Sequence, residues 1–295
     1  MEKTIMDVSR HQGVIDWAKV KASGKVDGVM IRAMGNSGAG KASKPYLDPY
    51  FARNYAECTR VGLPVGVYGY FKATTKAQAD KELALFKQAL GGRTFQLPVA
   101  VDIEDEVQKP LGKAALTNLT AHMLSTVESW GVYALLYTGL WFGSTFLYMG
   151  GAALKPYDVW LAAYRTRKPA PGWPFGMWQY TSTARVPGVS TNVDMSHAYK
   201  DYAAIIKRAG LGAVKGGVTD GKHSRGADHW RAEPAGGHLL QQPHRPEHGC
   251  KAGQAAGRDR NEAGGADPGS PGAQQLRPAR AGDGRADQSG KSSDC

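Results

Sequence analysis

Cysteine is nearly absent from this chain of 295 residues: there are three, Cys58, Cys250 and Cys295. An odd count, with two of the three near one end, excludes a disulfide framework and suits synthesis in a reducing compartment. The opening stretch "MEKTIMDVSRHQG" lacks an apolar core, so the expectation is a product made in the cytoplasm without an ordinary signal peptide. No basic run is interleaved with aromatics, which disfavours nucleic acid as a partner despite a formal charge of +11. The histidines His238, His244 and His248, with Cys250, have no convincing ligand spacing, and the expectation is that the protein uses no metal and no cofactor.

A second deficit is regional. Residues 212–295 contain no Ile, Phe, Tyr or Met, and Trp230 is their only aromatic. Such a stretch cannot bury enough apolar surface to offset its ordering entropy. The sequence therefore predicts an ordered domain over 1–211 and a low-complexity, disordered tail over 212–295. No internal repeat marks the tail as a binding module. Its Gly/Ala/Arg/Pro bias is that of an out-of-frame reading of GC-rich sequence, or of a linker without its domain. It carries 12 Lys and Arg against 10 Asp and Glu, leaving 25 against 16 on residues 1–211, a net +9. A domain with that excess is drawn to polyanions.

Long apolar runs are also scarce. The exception is "GVYALLYTGLWFGSTFLYMGGAAL" (131–154), uncharged and long enough to span a bilayer. Gly139, Gly143, Gly150 and Gly151 punctuate it as a buried strand, a loop and a short packed helix, so membrane insertion is not expected.

What is present is a series of short apolar runs: 4–9, 28–34, 64–71, 97–104, 133–139, 158–164, 176–181 and 191–196. They are near-continuous, as in strands buried on both faces. Helical patterns fall after the first five, at 15–24, 48–62, 75–92, 112–131 and weakly in 140–154. The gaps after the sixth and seventh are rich in Pro, Gly, Ser and Thr, as loops are. Strand–helix alternation predicts a parallel α/β barrel of TIM-like, irregular (β/α)5(β)3 form. A last helix, 196–210, would close its bottom.

Barrel chemistry sits at the carboxyl ends of the strands. Those ends carry Asp7, Arg32, Tyr68, Tyr70, Asp102, Glu104, Tyr137, Tyr164, Trp178, Gln179 and Asp194. Acids and rings converging on one rim suit a sugar: carboxylates for bond cleavage, aromatics for the apolar faces of pyranoses. Asp102 and Glu104, two apart on a strand, share a face with Cα atoms about 6–7 Å apart. Two carboxyls so close in a dry site do not ionise together, and a proton-holding acid beside a carboxylate is what glycosidic cleavage requires. Asp105 and Glu106 read as a helix cap or as solvent-exposed. A carboxylate site for Mg²⁺ or Ca²⁺ is the competing reading of the same acids.

These motifs resemble those of the glycoside hydrolase family 25 lysozymes. "DVSRHQGVIDW" (7–17) is similar to the family's opening motif and "VAVDIED" (99–105) to its Asp-x-Glu motif, with "YTG", "WLAAY", "WQYT" and "VDMS" following in order. The resemblance covers about residues 3–210. It implies an N-acetylmuramidase that cleaves peptidoglycan glycan strands between N-acetylmuramic acid and N-acetylglucosamine, many such enzymes being phage endolysins. Glu104 matches the general acid. Asp102 matches the carboxylate that assists the substrate's 2-acetamido group or acts as nucleophile, and Asp7 and Asp194 match the flanking acids. Tyr68, Tyr70, Tyr137, Tyr164, Trp178, Gln179 and Arg32 are the expected substrate contacts. The expected enzyme is a monomer that reaches the wall after release and is drawn to anionic wall polymers. A non-catalytic wall-binding barrel and a glycosidase acting on chitin-like polymers are the alternatives.

Overall fold

Eight strands close on themselves through a pairing between the first and second. The computed structural model describes residues 2–38 and 44–214. Its strands are β1 (Lys3–Val8), β2 (Gly28–Ser37), β3 (Lys44–Leu47), β4 (Val65–Tyr70), β5 (Val99–Asp102), β6 (Ala134–Gly139), β7 (Asp158–Ala162), β8 (Met177–Ala184) and β9 (Val193–Ala198). Their order is β1-β9-β8-β7-β6-β5-β4-β2-β3, with β1 also paired to β2. β3 lies outside the barrel, folded back antiparallel on the end of β2.

Five helices follow the first five barrel strands: α1 (Trp17–Ala22), α2 (Phe51–Arg60), α3 (Lys76–Leu90), α4 (Lys113–Ser129) and α5 (Leu140–Phe146). Local chemistry sets their starts. The Asp16 side chain accepts from the Lys19 N–H and Thr75 from the Gln78 N–H, satisfying donors that the helix leaves free. The apolar 131–154 stretch is β6 followed by α5. No described helix is long and apolar enough to cross a membrane.

Two expectations need correction. The sheet is not wholly parallel: β9 runs antiparallel to both β8 and β1. Only residues 185–192 separate β8 from β9, and a parallel crossover needs about a dozen residues or more. The last helix is also shorter than 196–210. Residues up to Ala198 stay in β9, and α6 covers only Tyr202–Arg208, capped by Asp201. The expected disordered tail lies outside the described residues except for its first three. Of these, Gly212 accepts from Phe95 N–H at 2.7 Å and donates to Gly131 O, and Ala213 bridges to Thr94.

The barrel interior is a narrow apolar column of Ile5, Met30, Leu97, Ala100, Leu135, Trp160 and Met177, closed at the bottom by Tyr202 and Ile206 of α6. Each of its Ile, Leu and Met side chains contributes about 1.5–3 kcal/mol by leaving water. The Tyr202 hydroxyl donates to Asp158 Oδ2 at 2.7 Å, and Lys200 pairs with the same oxygen at 2.9 Å. The larger core lies between strands and helices. Small residues make room where the column is tightest. At Gly66 an added Cβ would lie 2.5 Å from Met30 Sδ and 2.6 Å from the Pro98 carbonyl oxygen. Gly66→Ala is therefore expected to lower stability by about 1–3 kcal/mol through overpacking, measured as a drop in Tm; an unchanged Tm would show that the column is looser than described.

Candidate active site

Lateral register decides which side chains enter the barrel, because residues paired across neighbouring strands share a face. Asp7 pairs with Met30 on one side and Asp194 on the other. Arg32 pairs with Tyr68, Tyr68 with Ala100, Tyr70 with Asp102, and Asp102 with Tyr137. Tyr137 pairs with Trp160, and Ala162 with Gln179. Met30, Ala100 and Trp160 belong to the interior column, so all of these residues face inward. The reversal of β9 places Asp194 at the start of its strand rather than the end, yet on the same rim. Its neighbour across the ladder is Asp7.

Glu104 lies two residues beyond Asp102, just past the end of β5. Its Oε2 hangs over the end of β6, where a Cβ added to Gly139 would come within 3.6 Å. Asp105 then caps the 3-10 turn Glu106–Leu111, accepting from Val107 N–H at 2.9 Å. It also accepts from the Tyr70 hydroxyl at 2.5 Å and pairs with Lys72 at 3.1 Å. Asp105 is thus a cap that also anchors Tyr70, whereas Glu106 is solvent-exposed.

Burial dominates the electrostatics. Asp7 and Asp102 are 3% and 5% exposed. Burial, then the charge of Asp194, raises the Asp7 carboxyl well above the usual range. Burial, then Glu104, does the same for Asp102, with Arg32 opposing. Glu104 is pushed up to about 7 by burial, then by Asp194 and Asp105. Asp194 is pushed up to about 6 by burial, against a hydrogen bond from Asp7. The four acids feel one another and hold fewer than four charges at neutral pH. One further fact favours protonation: Asp102 Oδ1 is buried and has no hydrogen-bond partner among the described residues.

Gln179 organises the opposite wall. Its Oε1 accepts from the hydroxyls of Tyr137 at 2.9 Å and Tyr164 at 3.1 Å, and its Nε2 donates to Asp7 Oδ2 at 2.9 Å. That donation leaves Oδ2 an acceptor, so the Asp7 proton belongs on the other oxygen, towards Asp194. At 2% exposure Gln179 ties Asp7 to the hydroxyls of Tyr137 and Tyr164 and so positions them. Arg32 is 8% exposed; its Nε donates to Asp48 at 2.9 Å, and its Nη2 has no partner among the described residues.

Trp178 is the clear correction. It alternates with Gln179 and pairs with the outward-facing Leu161, so it faces away from the acids. Its indole N–H donates to Ala163 O at 2.8 Å, and its ring packs near Tyr180 and His197. Sequence reading placed it on the rim because "WQYT" puts both Trp178 and Gln179 at a strand end, and only one of two neighbours can point inward.

Two features escaped the sequence reading. Trp160 forms the floor, with Tyr137 and Tyr68 edge-on at 4.7 and 6.0 Å and its N–H on Ser196 Oγ at 2.9 Å. Its phase with Ala162 in "VWLAA" was the available signal. Asp48, read as a helix start, does accept from the Tyr50 and Phe51 N–H groups leading into α2, but it also holds Arg32 Nε and the Arg10 N–H, which no local pattern announces. Among the described residues no group of three or more His, Cys, Asp or Glu is arranged to hold a metal ion.

The arrangement gathers four carboxyls of raised proton affinity above the rings of Tyr68, Tyr137 and Trp160, suited to protonating a leaving oxygen. Comparison with known proteins agrees. The sequence profile of Glycosyl hydrolases family 25 matches residues 6–189. Lysozyme M1 of Streptomyces globisporus is 29% identical over 210 residues, covering 64% of this chain and 65% of that protein. The uncharacterized protein YegX of Escherichia coli K12 is 29% identical over 197 residues, 65% of this chain and 67% of its own. A bacterial lysozyme structure from Streptomyces coelicolor superposes with a TM-score of 0.57 at 26% identity, covering 70% of this chain and 96% of that one. The CTP1L endolysin shares the fold with a TM-score of 0.59 at 24% identity, over 70% of each chain. The chain therefore belongs to glycosyl hydrolase family 25 and is a glycoside hydrolase of the cell-wall-lytic, lysozyme type.

Proposed function

We propose that the protein is an N-acetylmuramidase that hydrolyses the β-1,4 bond between N-acetylmuramic acid and N-acetylglucosamine in peptidoglycan. The observation that carries this reading is Glu104, held at about 7 beside a buried Asp102. A carboxylic acid that keeps its proton near neutral pH can give it to the glycosidic oxygen. A related autolysin, LytC of Streptococcus pneumoniae, has been seen in complex with a synthetic peptidoglycan ligand; this chain covers 47% of it at 27% identity.

The proposed mechanism is retaining, by substrate assistance. The 2-acetamido N–H donates to Asp102, which favours the ionised form of Asp102 and leaves the shared proton on Glu104. The acetamido oxygen attacks the anomeric carbon while Glu104 protonates the departing oxygen. Water then opens the resulting ring, giving its proton back to Glu104. Asp7 and Asp194, sharing a proton, keep the far side of the groove from carrying full charge. A covalent sugar trapped on Asp102 would replace this route with a nucleophilic one. The working enzyme is a monomer without cofactor, acting at the wall, and its basic domain is attracted to anionic wall polymers.

Glu104→Gln is expected to abolish clearing of purified peptidoglycan while binding persists. Release of muramic acid reducing ends by the wild type separates this reading from a chitin-type glycosidase and from a non-catalytic barrel. Wild-type kcat/KM should fall as pH rises through about 7, where Glu104 loses its proton; a profile flat to pH 9 contradicts the assignment. The excess of 25 basic over 16 acidic residues in 1–211 predicts that turbidity clearing weakens steeply as salt rises from about 0.05 to 0.5 M.

Linkage gives a stability counterpart. Glu104 takes up its proton more tightly when folded, at about 7 against an ordinary 4.5. Its favourable contribution is complete below about pH 4.5 and is lost as pH rises through about 7. Glu104→Gln should therefore raise stability at pH 8 by on the order of 1–2 kcal/mol relative to its effect at pH 4, read from paired denaturation curves. Equal effects at both pH values would show that the carboxyl is not perturbed.

A further inference from the structure

The rim beyond Glu104 is unusually aromatic and exposed. Trp141 is 56% and Tyr148 52% exposed, the largest such rings among the described residues together with Tyr164. Trp141 follows Gly139 by two positions, and it is over Gly139 that the Glu104 carboxyl hangs. Lys109, from the turn that begins two residues after Glu104, places its ammonium 4.5 Å from the centre of the Trp141 ring. Phe146 meets the same ring edge-on at 5.3 Å. Lys109 is itself paired with Glu106. Trp141 is thus braced from two sides while more than half its surface stays open. An exposed indole braced from two sides, two residues from Gly139, is a ready platform for the apolar face of a sugar ring.

Farther out, a shallow open cleft of about 400 Å³ is lined by Lys113, Ser144, Tyr148 and Trp173. Lys113 donates to Ser144 O at 3.0 Å and lies 5.2 Å over the Tyr148 ring. No carboxylate among the described residues pairs with Lys113. The cleft therefore offers a ring face and an uncompensated cation together.

We propose that this rim is the leaving-side extension of the groove, with Trp141 stacking on the sugar released at Glu104 and the Tyr148–Lys113 cleft taking the next sugar with its attached anionic peptide. The proposal rests on the muramidase reading for the order of the sugars. Glu104 protonates the leaving oxygen, so the leaving sugar lies on the acid's side of the groove. In a strand cut after muramic acid that first sugar is the neutral N-acetylglucosamine, which suits an aromatic without charge. The second is muramic acid, whose peptide carries carboxylates, which suits Lys113. One surface thus reads the alternation of the polymer: ring first, ring plus cation second.

The test uses the full chain in the Glu104→Gln background, with binding measured by calorimetry to a peptidoglycan tetrasaccharide with and without its peptides. Trp141→Ala is expected to weaken both ligands about tenfold, and Trp141→Phe to restore most of that loss. Lys113→Ala should weaken only the peptide-bearing ligand, and added salt should remove the difference. With Glu104 intact, Trp141→Ala should lower kcat/KM on peptidoglycan about tenfold with the alkaline pH limb unmoved. Wild-type affinity in both variants overturns the proposal, as does equal loss from Lys113→Ala on both ligands. If the wild type releases no muramic acid ends but Trp141→Ala still weakens binding, the muramidase reading falls and the platform stands. If the Glu104→Gln protein binds neither ligand, both fall.

Discussion

Everything at this site depends on carrying carboxyls into a space too dry to ionise them all. Asp7 and Asp102 are almost fully buried, and burial is the first cause of the raised affinity for protons in all four acids. Such a cluster is unstable by itself: unpaired buried charge costs several kcal/mol. Proton sharing removes most of that cost, and Gln179 fixes where one shared proton sits by donating to Asp7. The same feature that costs stability at neutral pH supplies a group able to give up a proton there.

The barrel makes this concentration possible. Its lower half is an ordinary apolar column closed by Tyr202 and Ile206 of α6. Its upper half carries the polar residues of the same inward-facing registers. Strand direction matters less than rim position. β9 runs the other way from its seven partners in the barrel, yet its first turn of chain delivers Asp194 to the place where the other strands deliver their last residues. Asp105 shows how closely local and global roles can overlap, since it caps a turn and holds both Tyr70 and Lys72.

Family membership and chemistry meet at these residues without being the same argument. The match over residues 6–189 says that the fold and the class of reaction are inherited. The gathering of Glu104, its affinity for a proton raised by burial, next to a buried Asp102 is a separate, physical observation about this chain. The exposed rim at Trp141 belongs to neither argument, since it follows from which aromatic surface this particular chain leaves open next to its acid.

Much was legible before any coordinates. Near-continuous apolar runs separated by amphipathic helices are enough to read a barrel, because strands buried on both faces have no polar side to show. Asp102 and Glu104 stand out in the sequence for the opposite reason: two carboxyls close an otherwise apolar run. The sequence could not separate Trp178 from Gln179, since adjacent residues differ only in face, and register alone assigns faces. Nor could it reveal the reversal of β9, which depends on how short a connection the closing barrel can accept. Composition and pattern, which are local, determined the class of fold and the chemical type of the site. Which side chains meet, which way each points and how dry they become are non-local consequences of closing eight strands into a ring, and only the tertiary structure decided them.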